Sequence, residues 1–185
     1  MRVISGKCKG RILYTPQDNA IRPTSDRVKK FIFDYIGNAI QDSAVLDIYS
    51  GTGNLSIEAL SRGARFAVLV DNSKQAIRLI YRNLELTGLV SQCQIIRQDV
   101  IRYLKKRVVQ QDSKFDFIFA DPPYFEDYLS IFEYIGSDYL LQNGGFFILE
   151  HSTRNEIEAK ISSLLIEKQK LLGDTSVSIY IKKGS

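Results

Sequence analysis

The chain has 185 residues, of which 44% are hydrophobic and 25% are charged, as is ordinary for one water-soluble globular domain. No apolar run approaches the roughly 20 residues of a membrane span, and the N-terminus lacks the apolar segment of a signal peptide, so we expect a cytoplasmic protein. The single histidine excludes a histidine-rich metal site, and the two isolated cysteines show no metal-ligand spacing.

The net charge of +4 is unevenly distributed. Residues 1–30 contain eight basic side chains and only two acidic ones. A positive end on a nearly neutral body favours an anionic partner such as nucleic acid, although a solubilising basic tail would have the same composition.

The first part of the chain predicts a small β-hairpin followed by a helix. Residues 1–13 alternate weakly around two glycines, which indicates the hairpin. Thr24 or Ser25 can cap the helix, because apolar residues then recur at three- and four-residue spacing up to Ile36. We expect Arg27, Lys29 and Lys30 on the solvated face of this helix. The predicted division is a basic hairpin extension (1–23) and a main domain (24–185).

From residue 44 onward, short apolar runs alternate with amphipathic stretches. The runs predict strands at 44–48, 66–71, 93–97, 115–120 and 145–150, and the stretches predict helices near 54–62, 73–87, 101–111, 127–141 and 154–166. Such alternation indicates a parallel sheet covered on both faces. The last two strand-like runs, within 167–182, are joined by a short turn and should pair antiparallel. The predicted fold is a doubly wound α/β sheet that ends in an antiparallel hairpin.

Ligands of such sheets bind beyond the carboxyl ends of the strands, so the residues that follow each run are the candidates for a site. After the first run, Gly51 and Gly53 permit a tight turn and close approach of a ligand. Ser56 stands where a dinucleotide fingerprint has its third glycine, and no P-loop lysine is present. Asp47 would repel a pyrophosphate but suits a ligand with positive charge.

Two further acids follow the next two runs. Asp71 comes about twenty residues after the glycines, where a carboxylate can accept hydrogen bonds from ribose hydroxyls, and Asp99 follows the third run. Either acid alone could simply cap a helix. Three acids and two glycines at successive strand ends together indicate a nucleoside ligand without phosphates, with a cationic group near Asp47.

These stretches resemble motifs of the class I S-adenosylmethionine-dependent methyltransferases. "VLDIYSGTG" is similar to their first motif, "VLVDNS" to their ribose-binding acid and "QDV" to their adenine-contacting segment. The resemblance implies a Rossmann-like fold with a mostly parallel seven-stranded sheet, and S-adenosylmethionine as the cofactor. It also implies the cofactor-binding residues, which are Asp47, Tyr49, Ser50, Gly51 and Gly53 around the methionine part, Asp71 and Asn72 at the ribose, and Asp99 and Val100 at the adenine.

The fourth run ends in "DPPY", residues 121–124. Two prolines make a rigid turn that lacks backbone donors, and Asp121 is pushed towards an extended conformation. The turn therefore presents acceptors to a planar amine, beside the ring of Tyr124. We predict that Asp121 and the Pro122 carbonyl accept the amine hydrogens while Tyr124 stacks on the base. The motif resembles the signature of methyltransferases that act on adenine N6, cytosine N4, guanine N2 or glutamine amide.

The start of the chain favours guanine N2 as the amine that is methylated. "RVISGKCKGRILYTP" and "RPTSDRVKKFIFDYI", with "ALSRGA" and "LEHS" further on, resemble the bacterial 16S ribosomal RNA guanine-N2 methyltransferase family. Adenine N6 or protein glutamine remain alternative substrates, and a nonenzymatic RNA-binding assembly factor is the alternative from another class. His151 and Glu150 are expected to be structural.

The resemblance implies 16S ribosomal RNA as the partner, in a small-subunit particle, for a monomer without metal or membrane attachment. The basic N-terminal segment should contact RNA phosphates, with an affinity that weakens as salt rises. The predicted RNA-binding residues are Arg2, Lys7, Lys9, Arg11, Arg22 and Thr24, of which the last two could instead close over the cofactor.

Overall fold

One sheet of eight strands runs through the molecule, in a computed structural model that describes residues 1–16, 24–111, 113–123, 128–155 and 157–184. The helices are α1 (Asp26–Ile36), α2 (Asn54–Ser61), α3 (Lys74–Thr87), α4 (Val100–Gln110) and α5 (Tyr128–Ile135). The strands are β1 (Ala44–Ile48), β2 (Phe66–Asp71), β3 (Cys93–Arg97), β4 (Phe115–Ala120), β5 (Leu141–Ser152), β6 (Lys160–Ile161), β7 (Leu164–Leu172) and β8 (Thr175–Lys182).

The strand order is β3-β2-β1-β4-β5-β8-β7-β6. The first five strands of the chain pair parallel with one another, whereas β8 pairs antiparallel with β5 and β7, and β6 pairs antiparallel with β7. The predicted doubly wound α/β fold with an antiparallel C-terminal hairpin is confirmed. Because β1 lies between β2 and β4, the strand order reverses at β1, which is where such folds bind ligands.

Two hydrophobic cores cover the two faces of the sheet. Along β4, Phe117 and Phe119 pack with α1, α2 and α3, whereas Ile118 and Ala120 pack with α4 and α5. Successive side chains of a strand point to opposite faces, so a strand buried on both faces must be apolar at nearly every position. Asp47 interrupts this rule in β1 and therefore needs a separate explanation.

Three predictions about the C-terminal half differ from the structure in part or in full. The described residues 154–155 and 157–166 do not form the predicted helix, because the edge of β8 needs a hydrogen-bonding partner and β7, which begins at Leu164, supplies it. The short strand β6 pairs with β7, so the sheet has eight strands rather than seven. The helix predicted at 127–141 ends at Ile135, and β5 begins at Leu141.

The N-terminal segment forms the predicted hairpin in a short form. Arg2 and Ile12 form an antiparallel bridge, and backbone hydrogen bonds from Val3 to Arg11, from Gly10 to Val3 and from Leu13 to Met1 join its two sides. The backbone N–H groups of Ile4 and Ser5 instead donate to Glu58 Oε2 and Oε1, at 2.7 and 3.0 Å. Because the buried Glu58 carboxylate of α2 accepts from these donors, the hairpin is anchored to the domain.

Helix α1 begins as predicted, but one of its basic residues is not solvated. The Ser25 hydroxyl accepts from the Val28 N–H and caps the helix. Lys29 is fully buried, and its ammonium donates to the Arg2 carbonyl and to Asn54 Oδ1, the latter at 2.9 Å. Glu58 Oε2 lies 3.8 Å from the same ammonium. Burial lowers the pKa of Lys29, and the neighbouring carboxylates oppose that shift.

Within the described residues, no helix has the length and apolar composition needed to cross a membrane.

The buried Glu58 carboxylate generates a stability prediction. Glu58→Ala should lower the free energy of unfolding by about 3–5 kcal/mol, because it leaves two backbone N–H groups without their acceptor and removes the buried carboxylate that lies 3.8 Å from the Lys29 ammonium. Urea unfolding followed by circular dichroism measures the change. The control is Lys30→Ala, which removes the exposed Lys30–Asp34 pair (2.7 Å) and should cost less than about 1 kcal/mol. Equal losses in the two variants would contradict the prediction.

Candidate active site at the carboxyl ends of the strands

The carboxyl ends of β1, β2 and β4 meet at one edge of the sheet. Ile48, the last residue of β1, pairs with Val70 on one side and with Ala120 on the other. Asp71 and Asp121 come directly after these two partners. The register of the sheet therefore places the two acids on either side of the loop that follows β1.

That loop is tightly curved, as predicted from its glycines. Tyr49, Gly51 and Gly53 all have positive φ, at 58°, 55° and 74°. Glycine adopts this conformation without strain, whereas a tyrosine there is uncommon and marks a constrained turn. A Cβ on Gly53 would also lie 3.1 Å from Leu69 Cδ2. Helix α2 begins at the next residue, so the loop and the N-terminal end of this helix lie at the same edge.

Ser50 stabilises the loop from within. Its hydroxyl donates to the Asp47 carbonyl at 2.5 Å and to the Val70 carbonyl at 3.1 Å. Ser50 was predicted to bind the cofactor, but its hydroxyl makes contacts within the protein that fix the loop to β2.

Asp47 is a buried acid without a buried cation beside it. Its side chain is 2% exposed, and Oδ2 accepts from the Ser56 N–H at 3.2 Å and from the Ser56 hydroxyl at 2.7 Å. Within the described part of the chain, no basic side chain forms an ion pair with it. Burial raises the pKa of Asp47 to about 7, the Ser56 hydrogen bonds oppose this shift, and the charge of Asp71 adds to it. A cation bound nearby would stabilise the ionised form.

Asp71 joins the two loops that flank β2. Oδ2 accepts from the Gly51 N–H at 2.9 Å, and Oδ1 accepts from the Ser73 N–H at 2.8 Å. Burial raises the pKa of Asp71, and these backbone donors oppose the shift. Each carboxylate oxygen can accept a second hydrogen bond, so the acid still suits ribose hydroxyls.

The other predicted cofactor residues lie at the ends of β2 and β3. Asp99 caps α4 by accepting from the Arg102 N–H at 2.8 Å, which is the structural role that an acid at a strand end often has. Val100 is 3% exposed and packs in the core. Asn72 is exposed, and its carbonyl accepts from Arg97 Nε at 3.3 Å. Their contacts with adenine and ribose remain predictions.

Asp121 is linked to the N-terminal part of the chain. The Thr24 hydroxyl donates to Asp121 Oδ2 at 3.4 Å, and Thr24 is only 7% exposed. Pro122, the next residue, is buried. Tyr124, which we predicted to stack on the base, and Arg22, which we predicted to bind RNA or to close over the cofactor, lie outside the described residues.

Sequence reasoning missed one residue that connects these parts. Asn54, the first residue of α2, is 3% exposed. Its Nδ2 donates to the Thr24 carbonyl at 3.1 Å, and its Oδ1 accepts from Lys29 at 2.9 Å. Asn54 thereby joins the loop that contains Gly51 and Gly53, which we call the glycine loop, through Thr24 to Asp121. The only signal in the sequence is an amide directly after the second glycine, which by itself indicates no contact with residue 24.

These groups fit S-adenosylmethionine. A buried acid with a raised pKa suits the cationic methionine part, and a second acid at the neighbouring strand end suits the ribose. The positive-φ loop between them lets a ligand approach the backbone. Among the described residues, no group of three or more histidine, cysteine, aspartate and glutamate side chains could hold a metal ion.

The predicted RNA-binding side chains of the N-terminal segment are exposed, namely Arg2, Lys7, Lys9 and Arg11. Arg2 Nε lies 3.6 Å from Asp26 Oδ2, and Lys7 donates to Gln92 Oε1 at 2.6 Å. Contact with RNA remains a prediction for all four.

His151 has a structural position. Its ring is buried, with Nε2 2.8 Å from the Ser178 hydroxyl and Nδ1 2.9 Å from the Ser152 carbonyl. Burial lowers the pKa of His151 and favours the neutral ring. The ring therefore joins β5 to β8.

Asp47 generates a prediction about stability and pH. Its folded-state pKa of about 7 exceeds the ordinary value of 3.8, so unfolding releases a proton between these values. The ligand-free protein should therefore lose stability as pH rises through this window. Asp47→Asn should reduce the loss between pH 5 and pH 8 by about 2–3 kcal/mol, measured by urea unfolding. Asp34→Asn, on the exposed surface of α1, is the control. Identical pH dependence in wild type and Asp47→Asn would contradict the prediction.

Comparison with known proteins places the chain in a family. The family model described as "Conserved hypothetical protein 95" matches residues 1–181. "Putative rRNA methyltransferase YlbH" of Bacillus subtilis is 37% identical over 185 residues, covering 100% of both chains. "Ribosomal RNA small subunit methyltransferase D" of Escherichia coli K12 is 26% identical over 188 residues, covering 100% of this chain and 91% of its own.

A solved structure has the same fold. "Putative methyltransferase yhhF" from Escherichia coli superposes with a TM-score of 0.87 at 24% identity, covering 100% of this chain and 99% of its own. At that identity the likeness is informative about the fold alone. The family model and the Bacillus subtilis relative both extend over essentially the whole sequence, and this chain therefore belongs to the family described as "Conserved hypothetical protein 95".

Proposed function

We propose that this chain is an S-adenosylmethionine-dependent methyltransferase that modifies the exocyclic N2 amine of a guanine in 16S ribosomal RNA. The observation that carries this proposal is the position of the Asp121–Pro122 turn. It follows β4, whose last residue pairs with the last residue of β1, so the turn is next to the glycine loop. The names of the Bacillus subtilis and Escherichia coli relatives support ribosomal RNA as the substrate class.

The chain's own residues have two tasks in this reaction. The loop at Gly51–Gly53, with Asp47 and Asp71, holds the cofactor, which when bound supplies a methyl group on a positively charged sulfur. Asp121 accepts an N–H of the guanine amine and directs the nitrogen lone pair at that methyl group. A carbon–nitrogen bond forms as the carbon–sulfur bond breaks, and the sulfur keeps the electron pair.

Asp121 orients the amine and does not need to deprotonate it first. The amine proton becomes acidic only once the methyl group is on nitrogen, and it then leaves to Asp121 or to water. Positioning and electrostatics therefore supply most of the rate gain. Thr24 donates to one Asp121 oxygen and Asn54 holds the Thr24 carbonyl, so both are positioning residues. Tyr124 is proposed to stack on the flipped base.

The N-terminal segment supports an RNA substrate by its charge and its anchoring. Arg2, Lys7, Lys9 and Arg11 are exposed on a segment that Glu58 fixes to α2. Cations held in place in this way can contact phosphates without further ordering of the chain. We propose that the RNA is bound within a small-subunit particle.

Asp121 provides the test of the catalytic proposal. Asp121→Ala should lower the single-turnover rate of methyl transfer by about 10²-fold or more, because the amine loses its charged acceptor. Asp121→Asn should retain more activity than Asp121→Ala, because its amide oxygen can still accept. The rate is measured with radiolabelled S-adenosylmethionine, and calorimetry should show unchanged cofactor binding in both variants. Nearly unchanged transfer by Asp121→Ala would disprove the mechanism.

The substrate is tested on ribosomal material from cells that lack the protein. We expect the wild-type chain to methylate 30S particles, and mass spectrometry of the digested RNA should locate the group on guanine N2. Naked 16S ribosomal RNA is the parallel substrate, and faster methylation of the naked RNA would overturn the particle proposal. A methyl group on adenine N6 or on a protein glutamine would overturn the guanine assignment. Absence of S-adenosylmethionine binding would favour a nonenzymatic assembly factor.

A further inference from the structure

A basic groove lies between the end of β3 and the outer face of α4. Its volume is about 830 Å³, and the residues that line it include Arg97, Gln98, Arg102, Lys105, Lys106 and Val109. Four of the seven described residues that line it are cationic, and none of the seven is a carboxylate.

The cations form a row because of the helical repeat. Positions 102, 105, 106 and 109 are three or four residues apart, so Arg102, Lys105, Lys106 and Val109 share one face of α4. The opposite face, with Tyr103 and Leu104, is buried in the core. All four residues of the row are exposed, and Val109 is 74% exposed.

This arrangement is unfavourable for the isolated helix. Like charges at these spacings destabilise a helix. Arg102 also lies in the first turn of α4, where the helix dipole disfavours a cation. Binding of an anion in the groove would offset both effects.

The described neighbours do not neutralise the row. Asp99, the nearest acid in sequence, uses Oδ1 to accept the Arg102 backbone N–H. Arg107 is part of another contact, because it donates to the Ser113 carbonyl at 2.7 Å and covers the Phe115 ring. No ion pair joins Arg97, Lys105 or Lys106 to a carboxylate in the described ranges.

The groove is separate from the proposed cofactor site but opens near the same edge of the sheet. Arg97 ends β3, the strand at one edge of the sheet, and pairs with Asp71 of β2. None of the loop residues that follow β1 lines the groove. A long anionic ligand that reaches the carboxyl ends of β1 and β4 could therefore extend past Asp71 into the groove.

We propose that this groove binds the sugar-phosphate backbone of the RNA substrate outside the segment that carries the target guanine. The inference rests on the proposed function, because it requires an RNA substrate. A row of lysines and arginines suits successive phosphates, the Gln98 amide can bond to sugar or phosphate oxygens, and the exposed Val109 can contact a ribose. The groove and the N-terminal segment then hold the RNA at two separate places.

The test is a paired charge removal. Lys105→Gln with Lys106→Gln removes two cations of the groove, and Lys168→Gln with Lys170→Gln removes two exposed cations from β7, near the other edge of the sheet. Binding of a 16S ribosomal RNA transcript is measured by filter binding over a series of KCl concentrations. The groove variant should bind about tenfold or more weakly near 100 mM KCl, and its salt slope should fall by about 1.4–1.8. The β7 variant should match the wild type.

Two further measurements identify the cause of a loss. Calorimetry with S-adenosylmethionine should give the same affinity for both double variants, because neither touches the cofactor site. Methylation of 30S particles from cells that lack the protein should show a raised KM with kcat nearly unchanged for the groove variant. A lowered kcat with an unchanged KM would overturn a backbone-binding role.

The outcomes separate this inference from the proposed function. If the wild-type chain neither binds the transcript nor methylates particles, the proposed function fails and the inference fails with it. If the wild-type chain does both and the groove variant has the affinity and salt slope of the β7 variant, the groove inference alone fails. That second result would also be expected if the groove docks an acidic protein.

Discussion

The buried ammonium of Lys29 is the contact on which the arrangement of the site depends. It lies where α1, the start of α2 and the N-terminal segment meet, and it donates to the Arg2 carbonyl and to Asn54. Burying a charge is costly unless it is paired and hydrogen-bonded, so the surrounding acceptors must be held in place. Through Asn54 and Thr24, this requirement extends to Asp121 at the end of β4.

The site itself is organised by acids whose charge the described protein groups leave uncompensated. Asp47 and Asp71 lie at neighbouring strand ends, and burial raises the pKa of both. Burial by itself favours the uncharged form of both acids. A cationic nucleoside stabilises the ionised acids, so a feature that weakens the ligand-free protein becomes a source of affinity. The basic groove on α4 is comparable, because it also contains charges of one sign that lie close together. These charges are cationic and repel one another, so the groove suits an anionic ligand.

The sequence was most informative where short-range chemistry decides the structure. The parallel strands, the glycine turn and the cap at Ser25 were predictable, because each depends on periodicity or on a local backbone requirement. The region 154–166 was not, because its apolar spacing also allows a helix and the open edge of β8 decided in favour of a strand. Lys29 was misassigned for the same kind of reason, since its partners Asn54 and Glu58 are distant in sequence.

By itself, the sequence determined the α/β order of elements, the acids and glycines that end the strands, and the acceptor-only turn at Asp121. These follow from local patterns, which hold whatever the rest of the chain does. Only the tertiary structure decided that β1 lies between β2 and β4 and that Thr24 reaches Asp121. It also decided that Glu58 anchors the N-terminus and that the α4 cations line a groove. Those facts depend on contacts between residues far apart in the chain. Such contacts are selected because the folded molecule must bury its apolar side chains and give its buried polar groups hydrogen-bond partners.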